Sequence, residues 1–248
     1  MRRYFAALMF FTRLPLHRVM DVPAEYFKRV VELWPFVGWV TGGFTALLLF
    51  ASAAILPFTV AILIALAGRV ILTGALHEDG LADFCDGFGG GTTRERVLAI
   101  MKDSHIGTYG VLGLILYFLI IVAVWSSIPL DVLCVAIIAG DSWSKFCASQ
   151  IIDFLPYARK AEEAKSGTIY DRFSVASFLL AAVGGLLPCV LLPMEVFGAY
   201  LTPMVVLALL ILLMKKRING YTGDCCGATF LLCELSFYLT VSALWKLW

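Results

Sequence analysis

The sequence predicts an all-α fold: a polytopic integral membrane helical bundle of about seven transmembrane helices, with a cytoplasmic N-terminus. Three observations predict it. Of 248 residues, 61% are apolar or aromatic and 15% are charged, against roughly 45–50% and 25% in soluble domains. The apolar residues gather into seven runs, each near the ~20 residues a helix needs to cross a bilayer core. The basic residues fall at alternate ends of those runs. One membrane domain over residues 1–248 follows, with 1–35 as a cytoplasmic or interfacial N-terminal segment. The net charge of +1 excludes a general nucleic-acid binder, which needs a strongly basic face.

In order, the runs are 36–56, 58–76, 108–128, 132–152, 175–192, 198–214 and 228–245. Pro57 leaves almost no loop between the first two, so that pair reads as a tight hairpin or as one bent helix. Arg2, Arg3, Arg13, Arg18, Lys28 and Arg29 precede the first run. Arg94, Arg96 and Lys102 fill the second inner segment, Arg159, Lys160, Lys165 and Arg172 the third, and Lys215, Lys216 and Arg217 the fourth. Sixteen of the 19 Lys and Arg are then inside. Lys246 alone is outside, and Arg69 and Lys145 fall within runs. Chemistry is therefore expected on the cytoplasmic side.

The opening MRRYFAALMFFTRLPL does not read as a cleaved leader. Arg13 ends its apolar stretch, and no small-residue cleavage site follows. Residues 4–14 are expected as an interfacial amphipathic helix. No internal repeat is evident. The seven cysteines contain no CxxC pair, so inert buried thiols are expected and structural zinc is not.

The informative stretch is 74–110, and residues 77–107 of it are expected as a cytoplasmic catalytic loop. In HEDGLADFCDG, helical geometry puts Asp79, Asp83 and Asp86 on one stripe about 60° wide. Like charges so placed repel each other, and a bound cation relieves that. Carboxylate oxygens suit Mg²⁺, Mn²⁺ or Ca²⁺. Mg²⁺ commonly bridges carboxylates and substrate phosphates, so a diphosphate substrate is the natural partner. The alternative is a solvated acidic face. His77 reads as a ligand, a phosphate contact, a base or a hydrogen-bonded helix-end residue. Gly87, Gly89, Gly90 and Gly91 lead into Thr92-x-x-Glu95, a capping-box pattern beside which phosphate can sit. Arg94 and Arg96 are phosphate contacts or surface residues. Lys102 and Asp103 follow a short amphipathic helix. Gly107, Gly110 and Gly113 suggest close helix packing.

Other polar residues recur towards the same side. Asp141 and Lys145, four apart within a run, are functional candidates or a structural ion pair. Tyr157, Arg159 and Lys160 follow that run. Asp224, between glycines at the start of the last run, is a second candidate ligand or base, or a helix N-cap. Glu234 follows within the run.

These residues resemble the adenosylcobinamide-GDP ribazoletransferases, also called cobalamin 5′-phosphate synthases. The H-x-DGLAD-x-x-DG motif is met by His77, Asp79, Asp83 and Asp86. The R-x-R-x-L-x-I-M-K-DS-x-IG-T-x-G segment is met by Arg94, slightly out of phase, Arg96 and residues 101–110. TRLP stands at 12–15, P-x-VG at 35–38, PYAR at 156–159 and TGD-x-x-GA at 222–228. The elements span nearly the whole chain in order. His105 stands where members often have Arg, and Lys145 replaces an Arg that members often carry early in that span.

The resemblance implies a late step of cobalamin nucleotide-loop assembly. A hydroxyl of α-ribazole, or of its 5′-phosphate, attacks the cobinamide-linked phosphorus of adenosylcobinamide-GDP, and GMP leaves. Mg²⁺ is the implied cofactor, on Asp79, Asp83 and Asp86. Those three and His77 form the expected catalytic set. Arg96, Lys102, Asp103, Lys145, Arg159 and Asp224 are the expected substrate contacts. The expected location is the bacterial inner membrane, with the active site facing the cytoplasm, and glycine-rich faces leave self-association open. Two rivals follow from the residues. A CDP-alcohol phosphotransferase also uses spaced aspartates, but Asp83 stands where an alanine-arginine pair is expected. A cation-coupled transporter would use Asp141, Lys145 and Glu234, but the polar residues gather at one side.

Overall fold

A computed structural model describes residues 1–159 and 170–247, so Lys160 and Lys165 lie outside the described residues. Among the described residues every extended element is helical. One isolated bridge, Tyr157 to Tyr221, is the only β-type pairing among the described residues. The helices are α1 (Arg2–Phe11), α2 (Trp34–Ala53), α3 (Phe58–Thr73), α4 (Leu76–Gly90) and α5 (Arg94–Ile100). They continue with α6 (Thr108–Trp125), α7 (Leu130–Ser149), α8 (Ile151–Phe154), α9 (Val175–Leu186), α10 (Leu201–Ile218) and α11 (Gly223–Lys246).

Among the described residues, five helices are long and apolar enough to cross a membrane: Ala24–Ala53, Thr108–Trp125, Leu130–Phe154, Met194–Ile218 and Gly223–Lys246. A sixth forms if α3 and α4, bent by 90° to each other, count as one broken span. The expectation of seven differs at two places. The run 175–192 is a shorter apolar helix, Val175–Leu191, finished by a 3₁₀ turn. The run 58–76 ends at Thr73, because Gly74 and Ala75 both turn left-handed, at φ 66° and 57°. Glycine tolerates that conformation, whereas at Ala75 it costs about 1–2 kcal/mol. Hydrogen bonds hold the corner. Ala75 N–H donates to Val70 O at 3.0 Å, and Arg13 N–H donates to Leu72 O at 2.7 Å.

The outer faces of α6 and α10 expose Leu112, Ile115, Leu116, Leu119, Leu209 and Leu212. Lipid accommodates such faces, and the helices satisfy their own backbone groups. This is a multi-pass membrane protein. α7 is its axis, with 83% of its most apolar stretch buried. Packing between membrane helices rests on close van der Waals approach. Gly38 and Gly42 of α2 meet Ser142 and Ile138 of α7 with no room for a side chain.

The interior also holds two charged clusters. Arg69 of α3 donates to both carboxylate oxygens of Glu234 on α11, at 2.7 and 2.8 Å, and to Tyr117 of α6 at 2.8 Å. Tyr238 donates to Glu234 at 2.9 Å. Lys145 donates to Asp141 and, at 2.6 Å, to Thr41, with its ammonium 4.8 Å from the Phe230 ring centroid. Charges buried in a membrane interior require such partners. Every ionisable residue of the transporter reading is therefore locked in an ion pair.

Candidate active site

α4 carries the acidic run and crosses α11 very closely. A β-carbon on Gly80 would stand 2.9 Å from the Asp224 carbonyl oxygen, and one on Gly227 would stand 3.3 Å from His77 Cα. Glycine at Gly80 is needed for this approach, and at Gly227 it avoids a tight contact, so the helices touch backbone to backbone. That contact brings Asp79 and Asp83 of α4 to Asp224 of α11. One carboxylate oxygen from each lies within 4.8 Å of the others. Asp79 is exposed, Asp83 half-buried and Asp224 buried.

The α11 start comes from TGD. Thr222 is the N-cap, accepting from Cys225 N–H at 3.4 Å. Asp224 is therefore not the cap, the other role its position suggested.

Asp86 stands outside the trio. Its two oxygens accept N–H bonds from Gly107 at 2.7 Å and Gly110 at 2.8 Å, at the start of α6. A carboxylate is well placed at a helix N-terminus. The stripe on α4 grouped Asp86 with Asp79 and Asp83. The partner across the bundle separates them, and Asp224 from a remote segment joins the other two. Gly107 and Gly110 lie directly against the Asp86 carboxylate, and Gly113 lies against Cys85, so these glycines permit close helix contact.

The four glycines after Asp86 do not form an open loop. α4 runs on through Gly90, Gly87 packs on Met101, Gly89 on Tyr109 and Gly91 on Val97. The cap of α5 is Thr93, which accepts from Arg96 N–H at 3.2 Å, one residue beyond the predicted Thr92.

A cavity of about 280 Å³ opens beside the trio, with Asp79, Asp224 and Arg159 in its wall. Phe10, Phe11, Trp34, His77 and Tyr157 line it too. α1, expected at the interface, thus also packs inward, burying Ala6, Ala7, Leu8 and Phe11. His77 is 3% exposed and stacks near Trp34, with ring centroids 5.7 Å apart. Among the described residues, His77 Nε2 has no hydrogen-bond partner, and neither do Trp34 Nε1 and Glu78 Oε2.

Tyr157 and Arg159 also line an adjoining open cleft with Lys102 and Arg94. Pairing of the 156–159 segment with 219–221 holds this junction. Ala158 N–H donates to Tyr221 O at 2.8 Å, and Tyr221 N–H donates to Pro156 O at 2.9 Å. Arg94 fastens it by donating to Ile218 O at 2.9 Å and Ala158 O at 2.6 Å. Arg159 donates to Leu98 O at 3.1 Å. Burial raises the pKa of the Tyr157 phenol, which keeps it a donor.

Arg96 and Asp103 line a third cleft together with Asp86. Hydrogen bonds from the His105 backbone and ring lower the pKa of the exposed Asp103 carboxyl. Lys145, 1% exposed, faces Asp141 and Thr41 rather than the cavity. The structure therefore brings Asp79, Asp83, Asp224, His77, Arg159 and Lys102 to one region and sets Asp86, Arg96, Asp103 and Lys145 apart.

Fold and site together define a multi-pass membrane protein with a three-carboxylate cluster beside an aromatic cavity. A family model described as cobalamin-5-phosphate synthase matches residues 3–242. Relatives named adenosylcobinamide-GDP ribazoletransferase include one from Leptothrix cholodnii, 37% identical over 96% of this chain and 94% of its own. Others are from Shewanella amazonensis, at 36% over 98% and 95%, and Vibrio parahaemolyticus, at 34% over 99% and 94%. No solved structure matches. The chain belongs to the cobalamin-5-phosphate synthase family, and it is a transferase enzyme of cobalamin biosynthesis.

Proposed function

We propose that this enzyme joins adenosylcobinamide-GDP to α-ribazole, or to its 5′-phosphate, in a Mg²⁺-dependent reaction at the cytoplasmic side of a bacterial inner membrane. The observation that carries the reading is the convergence of Asp79, Asp83 and Asp224 at a cavity wall, in a chain of this family. The basic residues bracketing the same ends of the helices support the cytoplasmic side.

The donor set fits a hard divalent cation: three carboxylates from two helices, close enough to share one ion and with one of them exposed. Asp79, Asp83 and Asp224 would hold it. Bound there, Mg²⁺ supplies neutralising charge to the diphosphate and to the departing GMP. Arg159, shared by cavity and cleft, and Lys102, in the cleft, bind phosphate oxygens. Asp79, the exposed carboxylate of the cavity wall, accepts the proton of the ribazole hydroxyl. The hydroxyl oxygen bonds to the cobinamide-linked phosphorus, and the bond from that phosphorus to the GMP oxygen breaks. Asp86 acts indirectly, by fixing α6 against α4.

The test is turnover by purified, detergent-solubilised protein given adenosylcobinamide-GDP, α-ribazole 5′-phosphate and Mg²⁺. Mass spectrometry should show GMP and the joined corrinoid in equal amounts, and neither after chelation. A folded sample that makes neither product, with Mn²⁺ also tried, would overturn the reading.

A further inference from the structure

The cavity beside the trio is lined by the charged Asp79, Asp224 and Arg159 and by a larger apolar and aromatic set that includes Phe10, Phe11, Val31, Trp34, Tyr157 and Leu76. Phe11 and Trp34 are stacked, with centroids 4.8 Å apart and planes 9° from parallel. Among the described residues, Trp34 Nε1 and His77 Nε2 lack hydrogen-bond partners, although both side chains are nine-tenths or more buried. Buried polar groups rarely stay unsatisfied without a reason.

Resting on the function proposed above, we infer that this cavity, with its aromatic lining, is the pocket for the heteroaromatic base of the acceptor nucleoside. Flat walls of aromatic rings suit a flat bicyclic base. At about 280 Å³ the cavity has room for one such base and none for a corrin ring. Two bicyclic bases take part in the reaction, and polarity separates them. A guanine presents donors and acceptors along its edges. Against Phe10, Phe11, Val31 and Leu76 most of these would stay unpaired, each at a cost of about 1–3 kcal/mol. A benzimidazole-type base presents apolar edges and one free ring nitrogen. The Trp34 N–H, unpartnered and occluded in this structure, satisfies it when the ring shifts to meet the base. With the base so placed, the sugar hydroxyl lies towards Asp79 and Asp224, and the guanosine end of the donor is left to the open cleft at Lys102 and Arg159.

Equilibrium binding tests this without turnover. The probes are α-ribazole and GMP, titrated separately into wild-type protein in nanodiscs with Mg²⁺, and into Val31→Phe and Trp34→Phe. Val31→Phe fills the cavity, and Trp34→Phe keeps a smaller aromatic ring and removes the N–H. Both should weaken α-ribazole at least about tenfold, as one lost buried hydrogen bond or blocked pocket does, while GMP affinity stays within twofold. Steady-state turnover should show the same split, with the acceptor KM raised and the donor KM unchanged. Weakened GMP with unchanged α-ribazole would make this the guanine pocket and overturn the inference. So would unchanged affinities for both probes in folded variants. If wild type makes the joined product while both variants keep wild-type acceptor affinity, the pocket assignment fails and the function stands. If α-ribazole binds as described but no product forms, the function fails and the pocket stands.

Discussion

Gly80 of α4 lies against the backbone of Asp224 on α11, so close that a β-carbon there would stand 2.9 Å from the Asp224 carbonyl oxygen. This contact sets the distance between Asp224 and the two aspartates of α4. Gly80→Ala should push the helices apart by a few tenths of an ångström. Misplacement on that scale weakens metal binding and transfer steeply. The expected result is at least a tenfold loss of kcat and a raised Mg²⁺ requirement, in protein that still folds. Activity against Mg²⁺ concentration checks it. Wild-type behaviour would show that the helix contact does not control the site.

Asp86 should behave unlike its neighbours. Both its oxygens are taken by the Gly107 and Gly110 N–H groups. Asp86→Ala should cost about 1–2 kcal/mol of stability, as the loss of a helix N-terminal carboxylate does. Thermal unfolding in detergent would read this as a lowered Tm. The Mg²⁺ concentration for half-maximal activity should stay within twofold. A large rise in that concentration would return Asp86 to the metal site.

The Arg69–Glu234 pair is buried, with Arg69 Nη1 donating to both oxygens of Glu234. Removing one partner leaves the other charge alone in a membrane interior. Glu234→Leu should cost about 3–5 kcal/mol. Adding Arg69→Met should restore much of that loss, because a well-packed apolar pair replaces the charges. Denaturation of the single and double variants in detergent would measure both. A double variant no more stable than the single one would contradict this account of the cluster.

The sequence made most of the helices and the acidic segment legible. Apolar run length and the basic residues between runs located the spans, because the bilayer itself imposes both patterns. The corner at Gly74 and Ala75 escaped, since hydropathy continues smoothly through residues that change direction. The α4 stripe was legible from periodicity alone, but periodicity treats a helix in isolation. The separation of Asp86 from Asp79 and Asp83 depends on α6 and α11, whose crossings no local pattern encodes. Asp224 was visible as a candidate ligand, yet its meeting with Asp79 and Asp83 spans about 140 residues of chain. The cavity wall from Phe10, Phe11 and Trp34 carried no signal, because aromatic residues near a membrane surface are ordinary. The family elements at 12–15 and 35–38 flank these rings and point to that region without saying why.

The most direct test is the turnover of Asp224→Asn beside wild type, at saturating adenosylcobinamide-GDP and α-ribazole 5′-phosphate, across a Mg²⁺ series. An account in which Asp224 completes a site with Asp79 and Asp83 predicts at least about a hundredfold loss at limiting Mg²⁺, partly recovered at high Mg²⁺, with unchanged Tm. Wild-type turnover at every Mg²⁺ concentration, in folded protein, would contradict it and leave α4 alone as the catalytic element.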